Sequence, residues 1–500
     1  MMLPRIVHVF LLALLSRSVR GFENLSKRRE FLLAESAKIN LMRLDSELID
    51  NLEKYAEKIE EKVSKLQRLA QELREPLEAA KGREEEYLGN PLHSFPLIRH
   101  LYQDWNYLEE FMKKPVGEEN MQFLKRRLTE LPWQVDTEDA TTAVFRIAET
   151  YGMRPHEMAQ GLIDNVSLEP SLSALDCFEI AKLYFKWGFF SEAHNWLVNA
   201  KTRMEEAYSE VHGVLGLTLK DVVLLQARCL VEWGYKEDAN EVLLEHPDLA
   251  ENSTSLLAQF SANPYSAEDL SPLMNSNYKT LCQSTPKCRY PPKPSRLSCR
   301  YNTTTSPYSI LAPLKLEEIS LRPFIAVYHD ILSEKDIGQL TRLAESQLNT
   351  SNVLENEVDE LRSHGRIALE IPVPHFEINP SGNPVINSLT QRIQDITGKK
   401  IRDRYPVKLI KHGFGTRMDL PYNFNTSNLD STLQAGRIAT LVLFLNDAPH
   451  GGSTVFPLIN AKVPAEKGQA LFYYTETKTL NAACPVFHGS KLALAAGIRV

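Results

Sequence analysis

RIATLVLFLNDAPHGGSTVFP, residues 437–457, decides the class of the C-terminal half. A β-prone apolar run over 437–446 gives way to the turn residues Pro449, Gly451 and Gly452. Similar short runs stand at 322–328, 365–372, 406–412, 469–475 and 484–488, separated by Gly, Asn and Pro. Helical stretches lie among them at about 333–348 and 383–396. Many short strands with a few flanking helices predict a jelly-roll barrel, or double-stranded β-helix, over 319–500.

Upstream, residues 263–318 turn to Pro, Ser and Thr and read as a linker. Three of the six cysteines, Cys282, Cys288 and Cys299, fall in or beside it. A loop-stapling disulfide is expected there, with Cys282–Cys299 the preferred pair. Their spacings match no zinc pattern. Residues 138–262 are helical and contain two similar units. One carries Lys-Trp-Gly-Phe-Phe-Ser-Glu-Ala from Lys186, the other Glu-Trp-Gly-Tyr-Lys-Glu-Asp-Ala from Glu232. A hydrophobic helix, a Gly turn and a second helix with a close-packing Ala are the logic of a tetratricopeptide repeat, a scaffold that grips extended peptides.

Residues 22–135 form a further helical region. Leu48, Leu52, Tyr55, Ile59, Leu66 and Leu73 recur at threes, fours and sevens, which predicts one apolar stripe on a long helix. Its length favours self-association through a coiled-coil seam over packing within one domain. Phe95, Ile98, Leu101, Trp105, Leu108 and Phe111 mark another helix face.

Residues 1–21 read as a signal peptide, with Arg5 ahead of an apolar stretch from Ile6 to Leu15 and small residues before Gly21. No second apolar run follows, so no membrane span is expected. Sequons at Asn24, Asn165, Asn252, Asn302, Asn349 and Asn425 agree with a glycoprotein of the endoplasmic-reticulum lumen or the secreted space. The chain ends Ala-Ala-Gly-Ile-Arg-Val, without a KDEL-type retrieval signal. The net charge of −7 gives no footprint for nucleic acid.

Several motifs, in order, resemble the α subunits of animal collagen prolyl 4-hydroxylases. They are Gly89-Asn90-Pro91-Leu92, Asp176-Cys177-Phe178-Glu179, Leu281-Cys282, Ser298-Cys299-Arg300-Tyr301 and Ala312-Pro313. Arg437-Ile438-Ala439-Thr440, Gly451-Gly452-Ser453-Thr454-Val455-Phe456-Pro457 and Ala482-Ala483-Cys484-Pro485-Val486 complete the set. The resemblance implies a procollagen-proline 4-dioxygenase that uses Fe(II), 2-oxoglutarate, O2 and ascorbate. It also implies protein disulfide isomerase as partner and a proline-rich peptide as ligand. Two His and one carboxylate would hold the iron and leave three positions open.

Set on the family's pattern, those three positions fall on Pro421, Asn423 and Asn481. Proline has no ligating side chain, and asparagine supplies neither imidazole nor charge. A catalytically deficient scaffold or peptide-binding subunit is therefore expected. The alternative is an active dioxygenase with a displaced site built from His412, Asp419, His450 or His488. Asp419 would stand about 7 Å from position 421 along a regular strand, too far to replace a ligand held within about 0.2 Å.

By the same resemblance, Lys491 stands where a lysine binds 2-oxoglutarate and His412 where a tyrosine assists. A solvated strand lysine is the other reading of Lys491. The groove positions are Phe185, Phe190, Ser191, Leu225, Arg228 and Val231, where the family's tyrosines face a polyproline II ligand. The resemblance leaves Cys484 without the C-terminal cysteine with which it would pair, and the barrel's closing strand is expected to be incomplete or differently paired, leaving an edge to be managed.

Overall fold

A computed structural model describes residues 35–163, 166–167, 171–206, 211–262, 265, 276–283, 297–350, 369–372, 384–398, 407–415, 437–448 and 450–499. The signal-like segment, Asn24, Asn165, Cys288, Asp419, Pro421, Asn423 and Asn425 lie outside these residues. The chain divides into two compact units, with the boundary between Trp133 and Gln134.

The first unit is helical: α1 (Glu35–Ala80), α2 (Pro91–Lys113) and α3 (Glu118–Arg127). Asn90 caps α2 by accepting the Leu92 amide at 2.9 Å, and Pro91 follows at N1, where a missing N–H costs nothing. Gly117 (φ +67°) opens α3, and a Cβ there would meet the Tyr55 ring at 2.3 Å. Beside it, the buried Asn120 donates to the Asn51 carbonyl and accepts from Lys58 Nζ at 2.9 Å. This polar pairing turns the covered face of α1 towards Leu44, Leu48, Asn51, Tyr55, Lys58, Lys62 and Leu66. Leu52 and Ile59, expected on that stripe, are exposed. No residue of α2 is buried, and Leu92, Phe95, Ile98, Leu101 and Trp105 are all exposed.

The second unit opens with α4 (Gln134–Tyr151) and the short hairpin of β1 (Leu162–Ile163) and β2 (Val166–Ser167). Two helical hairpins follow: α5 (Ala174–Lys186) with α6 (Phe190–Glu206), then α7 (Leu219–Trp233) with α8 (Lys236–Leu244). Both first helices start with a capping box, Ser173 with Asp176 and Thr218 with Asp221. Both turns use a left-handed glycine, Gly188 (φ +77°) and Gly234 (φ +100°), and Ala193 and Ala239 are fully buried where the helices meet. The hairpins lead to α9 (Ser253–Ala262) and α10 (Ser276–Gln283).

The described residues between 299 and 499 form a two-sheet jelly roll flanked by α11 (Glu334–Thr350) and α12 (Pro384–Thr397). The strands are β3 (Cys299–Asn302), β4 (Leu314–Leu321), β5 (Phe324–His329), β6 (Leu369–Pro372), β7 (Val407–His412), β8 (Arg437–Phe444), β9 (Thr454–Phe456), β10 (Ala461–Val463), β11 (Ala470–Tyr474), β12 (Ala482–Ala483) and β13 (Lys491–Arg499). The large antiparallel sheet runs β3-β4-β5-β11-β8-β13-β7-β6, and the small one β10-β9-β12. Strand alternation divides the core. Leu441, Leu443, Phe472 and Leu494 pack with Leu389 and Ile393 of α12, whereas Phe444, Leu471, Tyr473 and Ala493 face Phe456 of the small sheet.

Two expectations are corrected. The closing strand β13 is nine residues long and lies inside the large sheet, paired with β7 on one side and β8 on the other. It is therefore no edge. Cys282 bonds to Cys484, not to Cys299, and spans 202 residues. Cys282 is buried on α10, where Tyr278 Oη donates to the Ala483 carbonyl at 3.0 Å, whereas Cys299 is exposed on β3 with a free thiol. Folding α10 against β12 brings together two cysteines that spacing alone sets far apart. This bond also gives Cys484 its partner.

Candidate functional site: the barrel interior and the helical groove

The β-barrel interior is built around a buried cation. Lys491 opens β13 on the same face as Ala493, turned inward between the sheets. Its Nζ donates to the Gly452 carbonyl at 2.7 Å and to Thr454 Oγ1 of the small sheet at 3.2 Å, and it lies 5.2 Å from the Phe444 ring centre. The reading of a solvated strand lysine is thus corrected: the side chain is buried between two layers. Burial pushes its ammonium down to about 7. His412 stands directly opposite in the β7–β13 register. It too is buried, and burial followed by the charge of Lys491 pushes its imidazole down to about 3. His412 Nδ1 is enclosed without a hydrogen-bond partner.

Glycines let the chain approach this region closely. Gly415 (φ +63°) donates its amide to the Val486 carbonyl at 2.8 Å. At Gly451 (φ +91°) a Cβ would stand 2.1 Å from the Pro485 carbonyl oxygen, which also accepts the Tyr151 hydroxyl from α4 at 2.7 Å. Here the helices of the second unit are fastened to the barrel. Lys279 of α10 pairs with Glu149 at 3.1 Å, and Lys462 Nζ donates to the Cys282 carbonyl at 2.9 Å.

Asn481 immediately precedes β12. Its Nδ2 donates to the Tyr473 hydroxyl at 2.9 Å and to the Thr479 carbonyl at 3.1 Å. Both amide N–H groups are therefore taken by structural partners, and what is left towards a cation is a neutral carbonyl oxygen in place of an imidazole nitrogen. His450 and His488 face each other across an isolated bridge, with ring centres 5.4 Å apart. Among the described residues, no group of three His, Cys, Asp or Glu side chains converges as a metal site would require.

In the helical groove, Phe185 and Val231 are buried, whereas Phe190, Ser191, Leu225 and Arg228 are half-buried. Phe185 and Phe190 meet at a tilt with centres 5.4 Å apart, and Phe185 also meets Tyr265 at 4.8 Å. The involvement of Phe260 and Tyr265 was not legible in the repeat pattern, because both lie beyond its second unit. Of the two sequons with described side chains, Asn252 is exposed, whereas Asn302 is buried with its Oδ1 accepting from the Thr304 amide. Asn302 is thus covered in the folded strand, unlike Asn252. Asn349 lies in the last turn of α11, and its side chain is not among those described. Among the described residues, no helix is long and apolar enough to cross a membrane.

The family model for the prolyl 4-hydroxylase α-subunit N-terminal region matches residues 35–165. The chain is similar to prolyl 4-hydroxylase subunit alpha-1 of Mus musculus, with 26% identity over 492 aligned residues covering 90% of each chain. It is also similar to subunit alpha-3 of Rattus norvegicus, with 28% identity over 447 residues and 80% of each chain. A solved viral collagen prolyl hydroxylase from Paramecium Bursaria Chlorella virus-1 aligns at 18% identity over 35% of this chain and 95% of its own, with a TM-score of 0.24.

Proposed function

Because this chain is a divergent member of the prolyl 4-hydroxylase α-subunit family, we propose that it is a catalytically deficient subunit that binds peptides and partners without hydroxylating proline. The observation that carries this reading is Asn481. At the position where the resemblance calls for an imidazole nitrogen, the side chain is an amide whose N–H groups are committed to the Tyr473 hydroxyl and the Thr479 carbonyl, which leaves only a neutral carbonyl oxygen. Proline and asparagine at 421 and 423 remove the other two ligand types from the sequence. The residues present do not fit iron, so no chemical step is assigned to it.

What remains is suited to binding. Lys491 and His412 keep a polar centre between the sheets, the hairpins keep an aromatic groove, and α2 presents Leu92, Phe95, Ile98, Leu101 and Trp105 to solvent. A contiguous apolar helix face of this kind marks a contact surface. We assign it to association with a second α-type chain, with protein disulfide isomerase as the further partner suggested by the family. The signal-like N-terminal segment and the sequons support a lumenal location.

The test is turnover. The purified full chain, supplied with Fe(II), ascorbate, O2, 2-oxoglutarate and a (Pro-Pro-Gly)-type peptide, is expected to release no succinate above a heat-inactivated control. An active α subunit assayed in parallel supplies the positive signal. Peptide-dependent succinate formation would overturn the reading.

A further inference from the structure

Arg228 is the only charged residue among the six groove positions. It stands on α7, and its guanidinium carbon lies 5.5 Å from the ring centre of Phe185, 5.8 Å from Phe260 and 6.0 Å from Tyr265. Those rings come from α5, from α9 and from the chain beyond α9, so three segments converge on one cation. Aromatic faces attract a guanidinium without occupying its N–H groups, and they restrict its orientation.

Among the described residues the hydrogen-bonding capacity of this group is left unspent. Nε is enclosed and has no acceptor among them. Among the described residues no carboxylate forms an ion pair with Arg228. Glu232, one turn further along α7, has Oε1 on the Tyr265 amide at 2.9 Å. Arg228 nevertheless remains partly exposed. Phe190 and Leu225 beside it are also partly exposed and can contact the apolar part of a ligand.

We propose that Arg228 is an anion-binding centre in the groove, and that the groove takes an extended peptide bearing an Asp or Glu side chain. This rests on the peptide-binding part of the proposed function and adds the charge of the ligand. A guanidinium fork matches a carboxylate in shape and charge. A neutral proline-only peptide leaves those donors unpaired, which disfavours it relative to an acidic one.

The experiment uses the full chain and two fluorescein-labelled probes, Pro-Pro-Glu-Pro-Pro-Glu-Pro-Pro-Gly and its Gln-for-Glu counterpart, in fluorescence anisotropy at low salt. The Glu peptide is expected to bind at least about tenfold more tightly than the Gln peptide. Arg228→Gln should abolish the difference, whereas Arg228→Lys, which keeps charge but loses the planar fork, should retain part of it. Melting curves of both variants establish that the fold persists. Equal binding of the two probes to the unaltered chain overturns the acidic preference while leaving the groove reading standing. Preference that survives Arg228→Gln overturns the role of Arg228. If neither probe binds, both the acidic preference and the peptide-binding reading fall, independently of the succinate assay.

Discussion

Cys484→Ser is expected to destabilise the unit spanning 134–500 by about 3–5 kcal/mol, while Cys299→Ser leaves it unchanged. The bond closes a 202-residue separation, and in a chain-entropy model a loop of that length places the removal cost towards the upper end of the usual range. It also holds α10 against β12 and β9, where Tyr278, Leu281, Cys282, Val455, Ala482 and Cys484 share a core cluster. Losing the bond thus loosens the attachment of the second unit's helices to the barrel as well as enlarging the unfolded ensemble. Chemical denaturation under oxidising conditions measures both variants. A destabilisation by Cys299→Ser equal to that by Cys484→Ser would contradict the pairing.

Lys491→Met is expected to stabilise the protein by about 2 kcal/mol at pH 7 and, at about 1.4 kcal/mol per pH unit, to lose that advantage at about pH 9. The sign follows from proton linkage. Lys491 has a folded value of about 7 against an ordinary 10.5, so between those values the unfolded chain binds more protons. Stability therefore rises with pH through this window, and the desolvation penalty is complete below it. Methionine removes that penalty but forfeits the bonds to Gly452 and Thr454, worth about 1 kcal/mol each. At high pH a neutral lysine keeps those bonds without the charge, so the variant becomes the less stable form. His412 acts in a separate window, from about 3 to 6.5, where stability also rises with pH. Lys491→Met should keep the part of that acid limb that burial causes and narrow it by the part that the charge of Lys491 causes. A variant less stable than the unaltered protein at pH 7 would contradict the buried, desolvated ammonium.

Much of the architecture is written locally. The two capping boxes, the turn glycines and the alternation of helix and strand texture mark elements through contacts within a few residues, which a linear reading captures. Features set by distant contacts are different. Leu52 and Ile59 fit an apolar repeat, yet Asn51 and Lys58 take the covered face because Asn120 satisfies them there. Consecutive residues Lys491, Leu492, Ala493 and Leu494 are all buried, because helices cover one face of the large sheet and the small sheet covers the other. Burial on both faces erases the period-two signal that would distinguish an inward lysine from an outward one. The disulfide partner and the ring cage around Arg228 likewise depend on segments far apart in sequence.

For the site itself, residue identity carried more than pattern. Asparagine at 481 was legible directly, and the structure adds the direction of its amide. The most direct measurement is metal stoichiometry. The full chain would be loaded anaerobically with Fe(II) in the presence of 2-oxoglutarate, desalted, and analysed for iron and for the visible charge-transfer band of a chelated Fe(II)–2-oxoglutarate complex. On the proposed reading the chain retains only background iron and shows no band. One Fe(II) per chain with that band would contradict catalytic deficiency and direct mutagenesis to His412, Asp419, His450 and His488.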